Sequence, residues 1–560
     1  MAMVKLEVQD IETINVSIKG YGSYEVPRGI SAASLIKRIL SQPKYTVVGI
    51  ILNNHLKDLH HTLEDSCQIE LVDLTTEAGV RIYRRTAAYM LIKACRELFP
   101  QRKLKVKHTL SNGLFCEFLG DQTNDEELDK IEKKMRQYAA LNLPVNKMAV
   151  PKNAARNIFA VQGQEDKVKL LEFREKDCVH IYELDGFYEY FYGYMLPEVG
   201  KVDKFKLINY PLGMILQTPG IESPGIIKPY IEQKNLASIF REAEDWAEML
   251  KTPHVASLND IIKSGDIKDI IMINEALHEK KVASIADQIC SNPKIRLILV
   301  SGPSSSGKTT FSERLLIQLR VNGRKPVSVS LDNYFVDREV TPLDENNEYN
   351  YEVLEALKVE LLNEHLLKLI NGEEVKIPTY SFHDGRCIGE GVPLTVPDNE
   401  PIIIEGIHGL NDDLTWSIPR DQKFKIYVSA LTQLNIDYSN RIPTTDSRLI
   451  RRIIRDSRTR GYSALDTIRR WPSVRTGEDK NIFPFQESAD IMFNSSLVYE
   501  LSVMKNFAQP LLEEIQTQHR EHIEAKRLLK FLTYFRPVSA NEVPANSILR
   551  EFIGGSCFKH

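Results

Sequence analysis

Hydrophobic and polar positions change period several times along this chain, and each change marks an element. Val4-Lys-Leu-Glu-Val8 and Ile14-Asn-Val-Ser-Ile18 alternate with period two, as paired strands with one buried face do, and Gly20 to Gly22 supply a turn. Residues 32–40 take up a helical period, 46–52 return to strand, and 69–72 close a small α+β unit. A helix is predicted over 83–98 and a charged one over 125–141, followed by aromatic strands between 179 and 207. Residues 237–291 are mostly helical and charged, which reads as a connector. Ile295-Arg-Leu-Ile-Leu-Val300 is a short apolar run of the buried-strand type, and after it 308–321 place Phe311, Leu315, Leu316 and Leu319 on one helix face. Two further apolar runs, Pro326-Val-Ser-Val-Ser-Leu331 and Pro401-Ile-Ile-Ile-Glu405, extend an α/β core to about residue 497. Residues 499–531 are helical again and lead into a tail over 538–560.

Composition adds bounds to this pattern. At 560 residues the chain is too long for one hydrophobic core, so three or four domains are expected. An apolar fraction of 42%, a charged fraction of 26% and a formal net charge of −4 are those of a globular protein with no global drive toward nucleic acid or membrane. No apolar run approaches the length of a membrane span, and Met1-Ala-Met-Val-Lys-Leu-Glu7 carries no apolar signal core, so a cytoplasmic protein is expected. Seven cysteines, at 67, 95, 116, 178, 290, 387 and 557, are scattered without a C-x-x-C pair and suit reduced thiols better than disulfides or a zinc site.

The candidate chemistry centres on Gly302, Pro303, Ser304, Ser305, Ser306, Gly307, Lys308 and Thr309, which match G-x-x-x-x-G-K-[ST] between a predicted strand and a predicted helix. That setting gathers backbone N–H groups, Thr310 included, around one anion-attracting point; Lys308 adds a full charge, and the Thr309 hydroxyl is placed for Mg²⁺. A nucleoside triphosphate, ATP or GTP, is the expected ligand. Asp332 and Glu405 each follow an apolar strand, at the end where parallel α/β sheets bind ligands. Asp332 suits a base for an attacking hydroxyl and Glu405 an anchor in the Mg²⁺ shell. Arg448, Arg451, Arg452 and Arg455 recur at helical spacing opposite Leu449, Ile450, Ile453 and Ile454, which suits a cationic lid hinged near Gly461.

Five motifs in order carry a resemblance: Gly302 to Thr309, Leu331-Asp332-Asn-Tyr-Phe335, Ile377-Pro-Thr-Tyr380-Ser-Phe382, Ile403-Ile-Glu405-Gly406 and Arg448 to Gly461. Over residues 295–497 the chain resembles uridine kinases and the related phosphoribulokinases, which implies a P-loop kinase with a parallel sheet flanked by helices. The resemblance implies that Asp332 activates the acceptor and that Glu405 associates with Mg²⁺. It further implies that Tyr380 lines a nucleoside pocket, that Glu352 and Glu355 hold ribose hydroxyls, and that Arg451, Arg455, Arg458 and Arg460 are lid cations. The family's D-x-F-Y reads Asp332-Asn-Tyr334-Phe335 here, and its histidine after the aromatic is displaced to His383, followed by Arg386. Tyr334, His383 and Arg386 are therefore acceptor-site candidates at which specificity departs from the family.

The front of the chain carries a second resemblance. Residues 1–74 resemble the TGS domain, a ubiquitin-like α+β module. Gly79-Val-Arg-Ile-Tyr-Arg-Arg85-Thr-Ala-Ala-Tyr89, Leu98-Phe-Pro100, Asp129-Lys-Ile-Glu-Lys-Lys-Met135 and Asn142-Leu-Pro144 make residues 75–215 similar to the second additional, editing domain of threonyl-tRNA synthetases. That domain's H-x-x-x-H and C-x-x-x-H positions fall on Arg85 and Tyr89, and on Tyr182 and Gly186, so neither metal ligation nor editing chemistry is expected. The domains expected are thus 1–74, 75–215, a connector 216–294, the kinase-like 295–497, and an extension 498–560. The expected function is a nucleoside kinase acting on a ribose 5′-hydroxyl. A sugar-phosphate acceptor, or a nucleotide-dependent switch reading RNA or a ligand through the front modules, stands as the alternative.

Overall fold

The computed structural model describes residues 12–40, 43–343, 347, 349–381, 383–432 and 434–558; the strand expected at Val4 to Val8, and Phe382 of the Tyr380 motif, lie outside them. The chain separates into two compact units, one of residues 1–232, 435–441 and 515–534, the other of 233–434, 442–514 and 535–560.

In the first unit, Thr13–Ile18 pairs antiparallel with Gly22–Pro27 and parallel with Cys67–Val72, and the latter pairs antiparallel with Gly49–Leu52. The alternation puts Ile14, Val16 and Ile18 into a core shared with Leu35 and Ile36 of helix Ala32–Ile39. The helix expected over 83–98 starts earlier, as Glu77–Leu98, because the Thr76 hydroxyl caps the Gly79 N–H. Gly79 weakens the helical pattern in the sequence, yet a Cβ there would stand 1.8 Å from the Asp73 carbonyl oxygen, so the close approach demands it. Asp125–Leu141 runs as expected behind a reciprocal Asn124–Glu127 capping box. The aromatic strands fall in two sheets: Cys178–Leu184 and Phe187–Glu189 with Asn146–Pro151, and Lys206–Tyr210 with Gly213–Gln217, Gly113–Phe118 and Leu104–Leu110.

The second unit is built on a five-stranded parallel sheet in the order Val327–Ser330, Ile402–Glu405, Leu297–Ser301, Lys423–Ser429, Ile491–Asn494. Leu297, Ile298, Leu299 and Val300 are fully buried, which explains an uninterrupted apolar run where an edge strand would alternate. Register does the positioning: Glu405 lies opposite Val300 on one side and Ser330 on the other. Three adjacent strands therefore release their loops at one level. The helices Lys234–Met249, Val255–Ser264 and Ile267–Ser291 belong to this unit, and Glu279 of the third holds Arg314 of helix Lys308–Val321 at 2.7 Å. The tail also packs here, with Ile548, Leu549 and Phe552 fully buried. Among the described residues no helix is long and apolar enough to cross a membrane.

Candidate active site

Strand Leu297–Ser301 delivers the chain to Gly302, where a Cβ would stand 1.9 Å from the Val428 carbonyl oxygen. The loop then turns through Ser305 at φ 58° and Gly307 at φ 84°. A serine held in the left-handed region is a backbone over-determined by its surroundings. Those surroundings are buried charges. Glu478 accepts from the Ser304 N–H at 2.9 Å, while Arg448 pairs with Glu478 and donates to the Ser304 carbonyl at 3.0 Å. Arg451 pairs with Glu500 and donates to the carbonyls of Ser305 at 3.4 Å and Ser495 at 2.9 Å. The Ser495 hydroxyl donates to the Ser306 carbonyl, and Arg452 donates to the Ser304 hydroxyl at 2.8 Å. Lys308 folds back over the loop, its Nζ 3.3 Å from the Pro303 carbonyl. Within this braced loop the Ser305 and Ser306 hydroxyls are buried and make no hydrogen bond. Buried hydroxyls without a partner, in the loop just before an anion-attracting helix start, fit phosphate oxygens.

Two carboxylates reach the loop from neighbouring strand ends. Asp332 sits in the 3-10 turn Leu331–Tyr334 directly after Val327–Ser330, and Glu405 ends its own strand. Asp332 opens to solvent, yet enough protein surrounds it for desolvation to raise its pKa, with Lys308, Arg460 and Arg455 pulling the other way. Desolvation pushes Glu405 up to about 7; Lys308 opposes the rise and Asp332 adds to it. Each carboxylate thus feels Lys308, and Glu405 feels Asp332. Glu352 joins them, also raised to about 7 by burial and by Glu478, against Arg452 and Lys308. Glu352 comes close because Gly477 lets it: a Cβ on Gly477 would stand 2.4 Å from the Glu352 Cβ. Among the described residues no three His, Cys, Asp or Glu side chains gather closely enough to hold a metal alone. A Mg²⁺ that draws most of its ligands from phosphates and water needs no such cage.

The arginine helix requires a correction. Thr444–Arg455 is the foundation of the phosphate loop, where the sequence suggested a mobile lid: Arg448 is 1% exposed and Arg451 0%, both committed to buried acids. Amphipathic spacing was legible, but the polar face is turned inward as well. Arg455 is half-buried and held by Asp456 at 3.0 Å, and Arg460 lies exposed 3.6 Å from the same acid. Arg458 donates to the carbonyls of Glu551 at 2.8 Å and Phe552 at 3.1 Å. The acceptor candidates divide. Tyr380 lies tilted against Phe335 with ring centres 5.6 Å apart, and Phe335 is itself 5.7 Å from Tyr351. Tyr334 turns into the core, 1% exposed, with its hydroxyl 3.0 Å from His365 Nδ1. His383 is 98% exposed beside Asp384, in the turn of the hairpin formed by Val375–Ser381 and Arg386–Leu394, and Arg386 is exposed there too. Neither His383 nor Tyr334 faces the carboxylates, because the hairpin turn and the core claim them. Glu355 is exposed and lies near buried His408, which burial lowers to about 4. Sequence reasoning missed Glu478, Glu500, Ser495 and Glu551, which no local pattern marks.

In the first unit Arg85 donates to the Tyr194 carbonyl at 2.6 Å. The Tyr89 hydroxyl meets the carbonyls of Tyr182 at 2.9 Å and Phe187 at 2.6 Å, the Tyr182 hydroxyl meets that of Gly193, and Gly186 turns at φ 78°. These positions tie loops together.

A parallel sheet ending in a braced phosphate loop and two strand-end acids is the arrangement of a P-loop kinase fold. Residues 297–502 match the model of the Phosphoribulokinase / Uridine kinase family. Solved structures similar to this chain include a candidate fructose transport system kinase from Silicibacter, at 19% identity and TM-score 0.29, covering 38% of this chain and 98% of that one. A candidate uridine kinase from Bacillus stearothermophilus matches at 16% identity and TM-score 0.25, covering 36% and 89%. Over its N-terminal part the chain is similar to threonine–tRNA ligases. That of Thermotoga petrophila is 29% identical over 265 residues, 47% of this chain and 39% of the relative, and that of Clostridium tetani 26% over 264 residues, 47% and 40%. The chain thus spans about two fifths of the length of these relatives.

Proposed function

We propose that the second unit transfers the γ-phosphoryl group of ATP or GTP to the 5′-hydroxyl of a nucleoside. The observation that carries this reading is the convergence of Asp332 and Glu405 on Lys308 from the ends of adjacent parallel strands. Loop amides and Lys308 hold the β- and γ-phosphates. Thr309 and Glu405 are the residues that would hold Mg²⁺, which when bound neutralises charge on the phosphates. Asp332 accepts the proton of the acceptor hydroxyl, whose oxygen forms the new bond to γ-phosphorus as the bond to the β–γ bridging oxygen breaks and its electron pair leaves with the nucleoside diphosphate. A raised pKa makes Asp332 a stronger base than an ordinary aspartate. Arg455 and Arg460 supply the positive charge the transferring group needs, while Arg451 acts only by holding the loop. Glu352 accepts hydrogen bonds from ribose hydroxyls beside Tyr380, with Glu355 at the margin.

The front of the chain supports a second reading, because its likeness is to proteins that handle tRNA. On that reading a TGS-like module over 1–74 and an editing-like module over 75–215 form an RNA- or ligand-binding surface controlled by nucleotide. Asp332 separates the two, since a switch has no use for an acceptor base. Asp332→Asn is expected to lower phosphoryl transfer by about 10²–10⁴-fold and to leave nucleotide affinity intact. Transfer at the wild-type rate in that variant removes Asp332 as the base.

A further inference from the structure

We propose that the C-terminal segment around Glu551 is an intramolecular competitor for the nucleotide, its carboxylate seated on a donor of the phosphate loop that the nucleotide must reclaim. The inference rests on the phosphate-loop reading above. The first N–H groups of any helix lack intrahelical partners. At helix Lys308–Val321 the N-cap is Gly307, which has no side chain to satisfy them. Instead an acid arrives from the far end of the chain: the Thr310 N–H donates to Glu551 Oε2 at 3.1 Å, and the Thr310 hydroxyl meets the same oxygen at 2.9 Å. A negative oxygen there takes the place in which a helix start favours a phosphate.

The segment is built into position. Ile548 lies so close that its Cγ2 would be 2.5 Å from a Cβ on Gly307. Phe552 lies beneath the Arg451 guanidinium, 4.9 Å from its ring centre. Ile548 and Phe552 are fully buried and Glu551 is 9% exposed. Arg458 spends its Nε and an Nη on the Phe552 and Glu551 carbonyls at 3.1 and 2.8 Å. Two groups expected to serve the nucleotide, Thr310 and Arg458, are therefore held by the consecutive residues Glu551 and Phe552 of one turn. The Glu551 charge is also felt at Glu405, whose pKa it helps to raise. Triphosphate entry brings further negative charge to this spot, so nucleotide binding and the seated carboxylate oppose each other and the segment reports nucleotide occupancy.

A plain helix cap would make the same two hydrogen bonds, and the sign of one measurement tells the roles apart. Mg–ATP and inorganic tripolyphosphate are titrated into full-length wild type and Glu551→Gln. Competition predicts that the variant binds both about two- to fivefold more tightly, while its melting temperature stays level or falls. Unchanged or weaker binding overturns the proposal. Hydrogen exchange of wild type needs no variant to fold: backbone amides of residues 546–556 are expected to lose protection when Mg–ATP is added, and unchanged or greater protection contradicts the idea. If wild type and variant alike bind neither Mg–ATP nor Mg–GTP, the phosphate-loop reading fails and this inference with it. If wild type binds nucleotide and Glu551→Gln binds it equally, only the inference falls.

Discussion

At Glu352 the fold holds a carboxyl whose pKa is pushed up to about 7, chiefly by burial. Its pKa moves from 4.5 to about 7 on folding, so between those values the folded chain keeps a proton that the unfolded chain has released. The contribution of this group to stability is fully present below pH 4.5 and is lost as pH rises through about 7. Glu352→Gln keeps the neutral hydrogen-bonding shape without the titration. Without nucleotide the variant is expected to match wild type near pH 4.5 and to exceed it at pH 8 by roughly 1–3 kcal/mol, read as the difference between denaturation midpoints. A variant less stable than wild type at pH 8 contradicts the assigned environment.

The element scale shows where sequence was informative and where it fell silent. Strand, glycine-bearing turn and helix at 297–321 were legible because buried-strand composition and helical periodicity are local signals. The strand-end acids were legible because parallel sheets bind ligands at those ends. Helix Thr444–Arg455 was legible as amphipathic, but not what its arginines touch: Glu478 and Glu500 are set by tertiary packing. Tyr334 likewise reads as a pocket residue in the sequence, but the core and His365 claim it. The buried Arg451–Glu500 pair yields a direct test of the helix as foundation. Arg451→Met leaves an unpaired buried carboxylate and is expected to destabilise the second unit by about 3–5 kcal/mol, whereas Arg451→Met with Glu500→Leu recovers most of the loss. Urea midpoints measure both, and a single variant as stable as wild type would return this arginine to the role of a free lid cation.

Across the whole molecule, the chain crosses between its two units more often than a linear reading allows. Residues 435–441 and 515–534 belong to the first unit, although the sequence on either side of them belongs to the second. Nothing in local periodicity marks such returns, since they are fixed by contacts with partners hundreds of positions away, such as the Tyr534 hydroxyl 2.7 Å from that of Tyr190. The tail behaves similarly, ending on a phosphate loop some 240 residues upstream in the chain, where Glu551 meets Thr310 across 241 positions. What sequence and structure share is the phosphate loop, with Asp332 and Glu405 at the ends of neighbouring parallel strands. The most direct test offers full-length protein Mg–ATP or Mg–GTP together with each ribonucleoside, and follows nucleoside monophosphate by mass spectrometry beside Asp332→Asn. Monophosphate formed by wild type and lost in the variant is the predicted result. Nucleotide bound tightly by wild type with no ribonucleoside phosphorylated would contradict it.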